Sequence, residues 1–186
     1  MTAALAHDGP VIFLEHKLLS DYWLESMGGS GRKGVKFDVP PEGKHGEVPE
    51  TWKPTPIGEG VIRRDGEDIT ILSVGVSVHR AIEAAKILAE MGISVQVVDL
   101  RSVSPLDKRL VIGTVAKTGR MLVVDEDYEG FGLSGELAAV VLEAGLAYRF
   151  ARVCTADTIP FSTQLEFDTL PNVERIVDAA RKLVSM

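Results

Sequence analysis

The sequence predicts an α/β fold, a three-layer sandwich with a mostly parallel sheet. Two apolar runs rich in isoleucine and valine, residues 69–74 and 93–100, are too short for buried helices and are predicted to be strands. The segment between them has helical periodicity and the length of a crossover helix between parallel strands. Strand and helix patterns alternate through the rest of the chain, which favours helices on both faces of one sheet.

An apolar, strand-like run occupies residues 10–19 and is interrupted by charge at Glu15, His16 and Lys17. Too few residues precede this run to complete a sheet around it. We therefore interpret residues 1–20 as the remnant strand of an upstream domain, or as an addition to the edge of the main sheet. In the first case, apolar residues such as Ile12 need a partner surface.

Residues 21–56 are rich in glycine, proline and charge, and no hydrophobic period is sustained across them. A structureless loop of this length is unusual inside a compact domain, so we predict a linker or excursion loop. Trp23, Phe37 and Trp52 are its expected anchors. Residues 57–186 are the predicted main domain, which begins with a hairpin whose charged turn precedes the strand at residue 69.

The crossover helix of the main domain is amphipathic. Ser77 is its expected N-cap and Gly92 its expected C′ residue. The stripe predicted to pack on the sheet comprises Val78, Ala81, Ile82, Ala85, Leu88 and Ala89. The face predicted to point away from the sheet carries Arg80, Glu83, Lys86 and Glu90.

The later elements follow from the same periodicities and from capping residues. Asp107 is the expected cap of a helix that ends before Gly119. The predicted elements after the crossover are helices at 107–117, 136–144 and 172–184 and strands at 121–124 and 150–155, with loops at 131–135 and 156–161.

Composition argues against several classes of function. The 27 acidic residues outnumber the 20 Lys and Arg, and the net charge of −7 disfavours non-specific attraction to nucleic acid or to an anionic membrane. The single cysteine, Cys154, excludes an intrachain disulfide and is predicted to be a core thiol. The sequence contains no signal peptide, lipidation motif or membrane-length apolar run, so we expect a cytoplasmic protein.

The candidate chemistry lies where the parallel strands end, because open α/β sheets bind ligands at that edge. Gly75, His79 and Glu126 are the candidates there for a small ligand, although His79 is more typical of a helix-start residue bonded to backbone. The acidic run 125–129 could bind a cation, or could supply solvated turn charges and counterions to Arg101. Nucleotide-binding glycine motifs, zinc-ligand spacings and a Gly-x-Ser-x-Gly motif are all absent, so we expect no self-sufficient catalytic constellation.

Several segments, taken in order, resemble one family. They are Pro-Val-Ile-Phe-Leu-Glu-His-Lys-Leu-Leu at 10–19, Gly-Glu-Val-Pro-Glu at 46–50, Pro-Ile-Gly at 56–58, Val-Val-Asp-Leu-Arg at 97–101 with Pro-Leu-Asp at 105–107, and Asp-Thr-Ile-Pro-Phe at 157–161. The set is similar to the beta subunit of thiamine-diphosphate-dependent 2-oxo acid dehydrogenases, the first components of the pyruvate, branched-chain and acetoin dehydrogenase complexes. The resemblance covers nearly the whole chain but does not extend to residues 20–44. It implies a transketolase-type C-terminal domain, preceded by the last strand of a pyrimidine-binding domain.

The resemblance also implies where the catalytic groups lie. In the family, the glutamate that activates the aminopyrimidine ring is upstream of the matched region, and the alpha subunit holds the diphosphate and its magnesium. The chain is therefore expected to carry no catalytic residue and to bind neither thiamine diphosphate nor magnesium by itself. Some members hold a structural potassium ion at positions that correspond here to Ala4, His7 and Gly9. At the last two of these positions the family has an acidic and an amide residue, whereas this chain has His7 and Gly9.

The family's C-terminal domain contacts a second beta chain and, in several members, docks the peripheral-subunit-binding domain of the acyltransferase core near the chain end, here Met186. The implied partners also include an alpha subunit and the missing pyrimidine-binding portion, but no nucleic acid or membrane. Transketolases and 1-deoxyxylulose-5-phosphate synthase share this domain and supply an alternative reaction. A free-standing module that binds a small ligand near Gly75, His79 and Glu126 is a third hypothesis.

Overall fold

The structure, a computed structural model, describes residues 1–17, 19, 50–51 and 53–186. Most of the predicted linker at 21–56, with its anchors Trp23, Phe37 and Trp52, lies outside the described residues. Within them the strands are β1 (Val61–Arg64), β2 (Ile69–Ser73), β3 (Val95–Asp99), β4 (Arg120–Tyr128) and β5 (Arg149–Thr155). The helices are α1 (Thr2–Leu5), α2 (Val76–Glu90), α3 (Lys108–Thr118), α4 (Leu133–Glu143), α5 (Thr163–Thr169) and α6 (Val173–Ser185).

The described strands form one sheet in the order β1-β3-β2-β4-β5. The strands β2 to β5 are parallel, and the edge strand β1 runs antiparallel to β3. Helices α2 and α6 cover one face, where Leu88 and Ile176 are completely buried, and α3 and α4 cover the other, around Leu72 and Leu137. The predicted three-layer sandwich with a mostly parallel sheet is therefore confirmed.

The crossover from β2 through α2 to β3 forms as predicted. Gly92 lies just beyond α2 with a φ of 78°, as expected for a C′ residue. The N-cap is Gly75 rather than the predicted Ser77, because the turn from β2 into α2 requires a φ of 62°, which glycine adopts without steric cost. Ser77 lies inside α2, and its buried hydroxyl has no hydrogen-bond partner among the described residues.

The predicted hairpin between β1 and β2 is wrong. β1 pairs with β3, with Val61 opposite Asp99, so β3 lies between the two strands that were expected to be neighbours. The connection instead passes tightly over β3, where a Cβ atom on Gly66 would lie 2.2 Å from the carbonyl carbon of Val95. Only glycine permits two backbones to approach so closely.

The strand predicted for residues 10–19 is not formed either. Residues 11–16 have no regular secondary structure, and the described sheet is bounded by β1 and β5. The apolar side chains of this run have no sheet to pack against, and Ile12 and Leu14 are 88% and 80% exposed. The division of the chain into remnant strand, linker and main domain stays a prediction.

The remaining differences concern the ends of elements. Asp107 caps α3 as predicted, since its carboxylate accepts a hydrogen bond from the Leu110 amide at 3.0 Å. β4 continues through the acidic run to Tyr128, and α4 begins at Leu133, three residues before the predicted start at Glu136. The seven-residue helix α5 was not predicted, because so short a segment has little periodicity.

Candidate functional site

The carboxyl ends of β2, β4 and β5 bring charged side chains from distant parts of the sequence together. Glu126 lies near the end of β4, and Arg80 comes from α2, which begins directly after β2. His16 comes from the N-terminal segment. These three residues form what we call the carboxyl-edge cluster, and it occupies the edge where open α/β sheets bind ligands.

Both carboxylate oxygens of Glu126 are engaged. His16 Nε2 lies 2.6 Å from Oε2, and Arg80 Nη1 donates a hydrogen bond to Oε1 at 2.6 Å. The same arginine nitrogen donates to the carbonyl oxygen of Pro171 at 2.9 Å, just before α6. The backbone carbonyl of Glu126 accepts a hydrogen bond from the Thr155 hydroxyl on β5 at 2.7 Å. The cluster thus joins the N-terminal segment to the main domain.

The cluster is largely withdrawn from water. The side chains of His16 and Glu126 are 29% and 23% exposed, and that of Arg80 is only 4% exposed. Burial raises the pKa of Glu126, but the hydrogen bond with His16 and the charge of Arg80 outweigh it and hold the pKa below its ordinary value. Glu126 is therefore ionised at neutral pH and is not suited to donating a proton.

The neighbouring carboxyl group of Asp125 behaves differently. It is buried, and this burial raises its pKa, with the charges of Asp127 and Glu126 acting in the same direction.

Cys154 is buried as predicted, and burial raises the pKa of its thiol. A raised pKa lowers the thiolate fraction, so this cysteine is a poor nucleophile.

The structure brings together some of the residues that the sequence nominated. A Cβ atom on Gly75 would lie 3.9 Å from His16 Cδ2, which places Gly75 beside the cluster that contains Glu126. His79 lies in the first turn of α2, next to Arg80 in sequence, and is partly buried. The small-ligand site at Gly75, His79 and Glu126 stays a prediction.

Sequence reasoning missed Arg80. The amphipathic pattern of α2 placed this residue on the outward face, but its side chain is buried because it pairs with Glu126 and with the Pro171 carbonyl. A usable signal was present, since an acidic run lies at the end of β4, at the same edge of the sheet at which α2 begins. The other predicted outward residues, including Glu83 and Lys86, are at least partly exposed.

A second ion-pair cluster fixes the end of β3. Arg63 donates to Asp99 Oδ2 through Nε at 3.1 Å and Nη2 at 2.7 Å. Arg101 Nε lies 3.9 Å from the same oxygen, and its backbone amide donates to Asp99 Oδ1 at 3.2 Å. Asp99 therefore links the edge strand β1 to the loop after β3, where Ser102 accepts a hydrogen bond from the Gly58 amide at 2.9 Å.

The acidic run of β4 does not serve Arg101, which contradicts that part of the prediction. Glu129 pairs with Arg152 at 3.0 Å, and Asp127 accepts a hydrogen bond from the Leu133 amide at the start of α4.

Among the described residues, no group of three or more His, Cys, Asp or Glu side chains could hold a metal ion. No helix in the described ranges combines the length and apolar character needed to cross a membrane.

The predicted potassium positions lie in and just after α1. The His7 amide donates to the Ala4 carbonyl at 3.4 Å, and the Gly9 amide donates to His7 Nδ1 at 3.0 Å. Potassium is bound in proteins by sets of oxygen atoms, and an imidazole engaged with its own loop does not supply one. The potassium site stays a prediction.

The domain that carries this site matches a known family. Residues 58–176 match the sequence profile of the transketolase C-terminal domain. The chain belongs to this family. The resemblance to beta subunits of 2-oxo acid dehydrogenases is likewise confirmed by its curated relatives.

The beta subunit of acetoin:2,6-dichlorophenolindophenol oxidoreductase from Cupriavidus necator is 39% identical over 183 residues, which cover 96% of this chain and 48% of that protein. The mitochondrial pyruvate dehydrogenase E1 component subunit beta from Dictyostelium discoideum is 30% identical, covering 98% of this chain and 48% of the relative. Among solved structures, a split-gene transketolase described as an inactive beta4 tetramer superposes with a TM-score of 0.66 at 29% identity, covering 74% of this chain and 47% of that one. The chain thus spans about half the length of these relatives.

Proposed function

We propose that the chain is the C-terminal part of the beta subunit of a thiamine-diphosphate-dependent 2-oxo acid dehydrogenase, in which it serves subunit association and docking. Its similarity to beta subunits of acetoin and pyruvate dehydrogenases supports this proposal. The proposed partners are an alpha subunit, the pyrimidine-binding portion of the beta subunit, a second beta chain and the acyltransferase core. The compartment, expected to be the cytoplasm, stays a prediction.

The observation that carries the proposal is the exposed apolar N-terminal segment. Ile12, Phe13 and Leu14 are 88%, 55% and 80% exposed, while His16, two residues later, ties the segment to Glu126 of the main domain. Large apolar side chains exposed side by side on a defined surface mark an interaction site. The pyrimidine-binding portion of a beta subunit is a partner that would cover them.

Thiamine diphosphate and magnesium belong, in this proposal, to the assembled enzyme. Glu126 is the carboxylate at the centre of the candidate site, but His16 and Arg80 occupy both of its oxygens. It is therefore not available to activate an aminopyrimidine ring, and the sequence lacks a glycine-rich phosphate cradle. The described residues of the carboxyl-edge cluster do not fit the cofactor, and we assign no catalytic step to them.

Reconstitution tests the proposal. The chain is mixed with a cognate upstream beta portion and alpha subunit, and association is measured by calorimetry and sedimentation. Burial of each large aliphatic side chain contributes about 1.5–3 kcal/mol, so Ile12→Ser with Leu14→Ser should weaken association by more than about tenfold. Leu142→Ser is the matched control, because Leu142 is 64% exposed on α4, away from the segment.

Two results would contradict the proposal. The first is turnover of a 2-oxo acid by this chain alone, which would require catalytic groups that we do not assign to it. The second is failure of the folded chain to associate with the beta portion and alpha subunit.

Docking near the chain end is a separate part of the proposal. Met186 is 75% exposed and lines a groove of about 360 Å³ together with Phe150 and Leu183. The net charge of −7 on the whole chain favours a basic partner such as a peripheral-subunit-binding domain at long range, whereas the groove itself is lined by Arg175, Asp178 and Lys182. Removal of Met186 should weaken capture of such a domain in calorimetry while association with the upstream beta portion is unchanged.

A transketolase-type reaction is the second candidate, and the structural similarity to a split-gene transketolase favours it. The assembled enzyme distinguishes the two functions. A dehydrogenase component decarboxylates a 2-oxo acid and passes the acyl group to a lipoyl acceptor, whereas a transketolase transfers a ketol group between sugar phosphates. Ketol transfer by the reconstituted enzyme would replace the first proposal with the second.

A further inference from the structure

The start of α2 lies at a topological switch point of the sheet. The strands β2 and β4 are neighbours, but the helices that follow them leave toward opposite faces, α2 to the face shared with α6 and α4 to the face shared with α3. Helices that separate in this way leave a crevice beyond the carboxyl ends of their strands, and open α/β sheets bind ligands in such a crevice.

The hydroxyl of Ser77 points into this crevice and lacks a partner. Ser77 is the second residue of α2, on the helix stripe that continues through Ala81, Ala84 and Leu88 and packs on the sheet. Side chains lean toward the N-terminus of their helix, so this hydroxyl is directed at the strand ends. Ser77 is 1% exposed, and its hydroxyl has no hydrogen-bond partner among the described residues. A buried hydroxyl without a partner is unfavourable, and a ligand oxygen that accepts its hydrogen bond would remove that cost.

Two backbone amides at the same place also lack an acceptor. The N-cap residue Gly75 offers no side-chain oxygen to the start of α2. The Val78 amide reaches the Gly75 carbonyl at 3.3 Å, but the amides of Val76 and Ser77 donate to no acceptor within the described ranges. Such amides, at the positive end of a helix dipole, bind oxyanions. The turn leaves room for one, because the described atom nearest to a Cβ position on Gly75 is His16 Cδ2, at 3.9 Å.

Helix α4 starts in the same way, but its donors and acceptors are used. It also has a glycine N-cap, Gly132, and its second residue is a serine, Ser134, which is likewise 1% exposed. The Leu133 amide donates to Asp127 at 3.3 Å, and the Ser134 hydroxyl accepts a hydrogen bond from Arg152 at 3.4 Å. The start of α2 lacks equivalent partners within the described part of the chain.

The charges around the crevice are nearly balanced. The charged and titratable side chains at the ends of β2, β3 and β4 and at the start of α2 are Arg63, Arg80, Arg101, His16, His79, Asp99, Asp125 and Glu126. The carboxylate of Asp99 faces two of the arginines, and that of Glu126 faces the third arginine and His16. The hydrogen-bond donors and the dipole of α2 therefore select the ligand, rather than an excess of positive charge.

We propose that the start of α2 binds a phosphate group, whose oxygens accept hydrogen bonds from the amides of Val76 and Ser77 and from the Ser77 hydroxyl. A phosphate group fits because it offers several acceptor oxygens to donors that converge from different directions. It is either inorganic phosphate or the end of a small phosphate monoester. The inference assigns donors and a ligand class to the small-ligand site predicted at this edge. It goes beyond the proposed function, because it requires no partner subunit.

The test is an NMR titration of the full, nitrogen-15-labelled chain. Inorganic phosphate, glycerol 3-phosphate, acetate and chloride are added separately at constant ionic strength, so that general screening stays the same. We expect the amide signals of Val76 and Ser77 to shift saturably with phosphate, and both acetate and chloride to bind more weakly. Tighter binding of glycerol 3-phosphate than of inorganic phosphate would identify a monoester as the ligand, and the reverse order would identify the inorganic ion.

Two serine variants provide a matched comparison. A hydrogen bond to a charged group is lost in Ser77→Ala, so this variant should raise the Kd for phosphate at least about tenfold. Ser134→Ala changes the corresponding residue of α4 and should alter the Kd less than about twofold. Without phosphate the order is reversed, since Ser134→Ala loses a hydrogen bond and should lower the melting temperature, whereas Ser77→Ala loses none and should not. Phosphate should then raise the melting temperature of the unmodified chain more than that of Ser77→Ala.

Four outcomes would overturn the inference. The first is the absence of a saturable shift at Val76 and Ser77, and the second is equal shifts at exposed lysines and arginines, which would indicate an adventitious ion only. The third is equal affinity for acetate, and the fourth is an unchanged Kd in Ser77→Ala. None of them affects the proposed association function, which is measured with the upstream beta portion and through Ile12 and Leu14.

Discussion

Replacement of Arg80 by methionine should destabilise the chain far more than replacement of an arginine in an exposed ion pair. Methionine keeps much of the aliphatic stem, so the loss is mainly electrostatic. The variant loses a charge-assisted hydrogen bond to Glu126, of about 1.5–3 kcal/mol, and leaves the Pro171 carbonyl without its donor, at about 1–3 kcal/mol. His16 still faces Glu126, so we expect the lower part of the sum, about 2.5–4 kcal/mol.

The matched control is Arg152→Met. Arg152 Nη2 lies 3.0 Å from Glu129 Oε1, but the two side chains are 33% and 49% exposed, so the pair is screened by water. Exposed pairs contribute about 0–1 kcal/mol. Urea unfolding followed by circular dichroism at neutral pH gives both free energies, and an unchanged m value would show that the unfolded state is the same.

A double-mutant cycle isolates the contact. Arg80→Met, Glu126→Gln and their combination should give a coupling free energy of about 1.5–3 kcal/mol. The pKa of Glu126 lies below its ordinary value in the folded chain, so the stabilisation is present at neutral pH and is lost as the pH falls below about 4.3. If Arg80→Met cost no more than Arg152→Met, the reasoning from burial and hydrogen-bond geometry would be wrong.

Four further substitutions test other parts of the structure. Asp125→Asn should raise the melting temperature at neutral pH, because the raised pKa of the buried carboxyl means that its ionised form is disfavoured in the folded chain. The advantage should disappear in acid, where the carboxyl is protonated. An unchanged melting temperature at neutral pH would contradict the burial argument. Gly66→Ala should destabilise the fold by about 1–3 kcal/mol in urea titrations, because the added Cβ atom clashes with the backbone of β3. Gly113→Ala in α3 is the matched substitution with open space around the Cβ position, and it should stabilise the fold by up to about 1 kcal/mol. Asp107→Ala should cost about 0.5–2 kcal/mol in the same assay, since it removes the α3 cap, and a cost near zero would show that the cap is replaceable by water.

The parts of the fold that the sequence predicted are those controlled by local patterns. The crossover helix α2 and its parallel neighbours follow from hydrophobic periodicity, and the caps at Asp107 and Gly92 follow from short-range side-chain and backbone chemistry. The hairpin failed because strand pairing is not a local property. β1 pairs with β3, which takes the place beside β1 that β2 was predicted to occupy. The physical reason that the structure offers is the close approach of Gly66 to the backbone of β3, which lets the connection cross that strand.

The candidate site was predicted even less completely. Glu126 and Gly75 could be placed at the carboxyl edge, because the ends of parallel strands meet there. The partners of Glu126 could not be predicted, since Arg80 lies 46 residues and His16 lies 110 residues away in sequence. Helical periodicity assigns a charged residue to the solvent-facing side, and only a tertiary ion pair reverses that assignment for Arg80.

In the proposed function, the carboxyl-edge cluster and the exposed N-terminal segment belong to one interface. A partly buried polar contact contributes more to orientation than to affinity, because the desolvation of its groups offsets much of their attraction. Contact between His16 and Glu126 therefore sets the direction in which the segment leaves the domain, while Ile12 and Leu14 supply the apolar area that a partner would bury. Loss of the contact through Glu126→Gln should then disturb the geometry of association more than its strength, and loss of the apolar side chains should do the reverse.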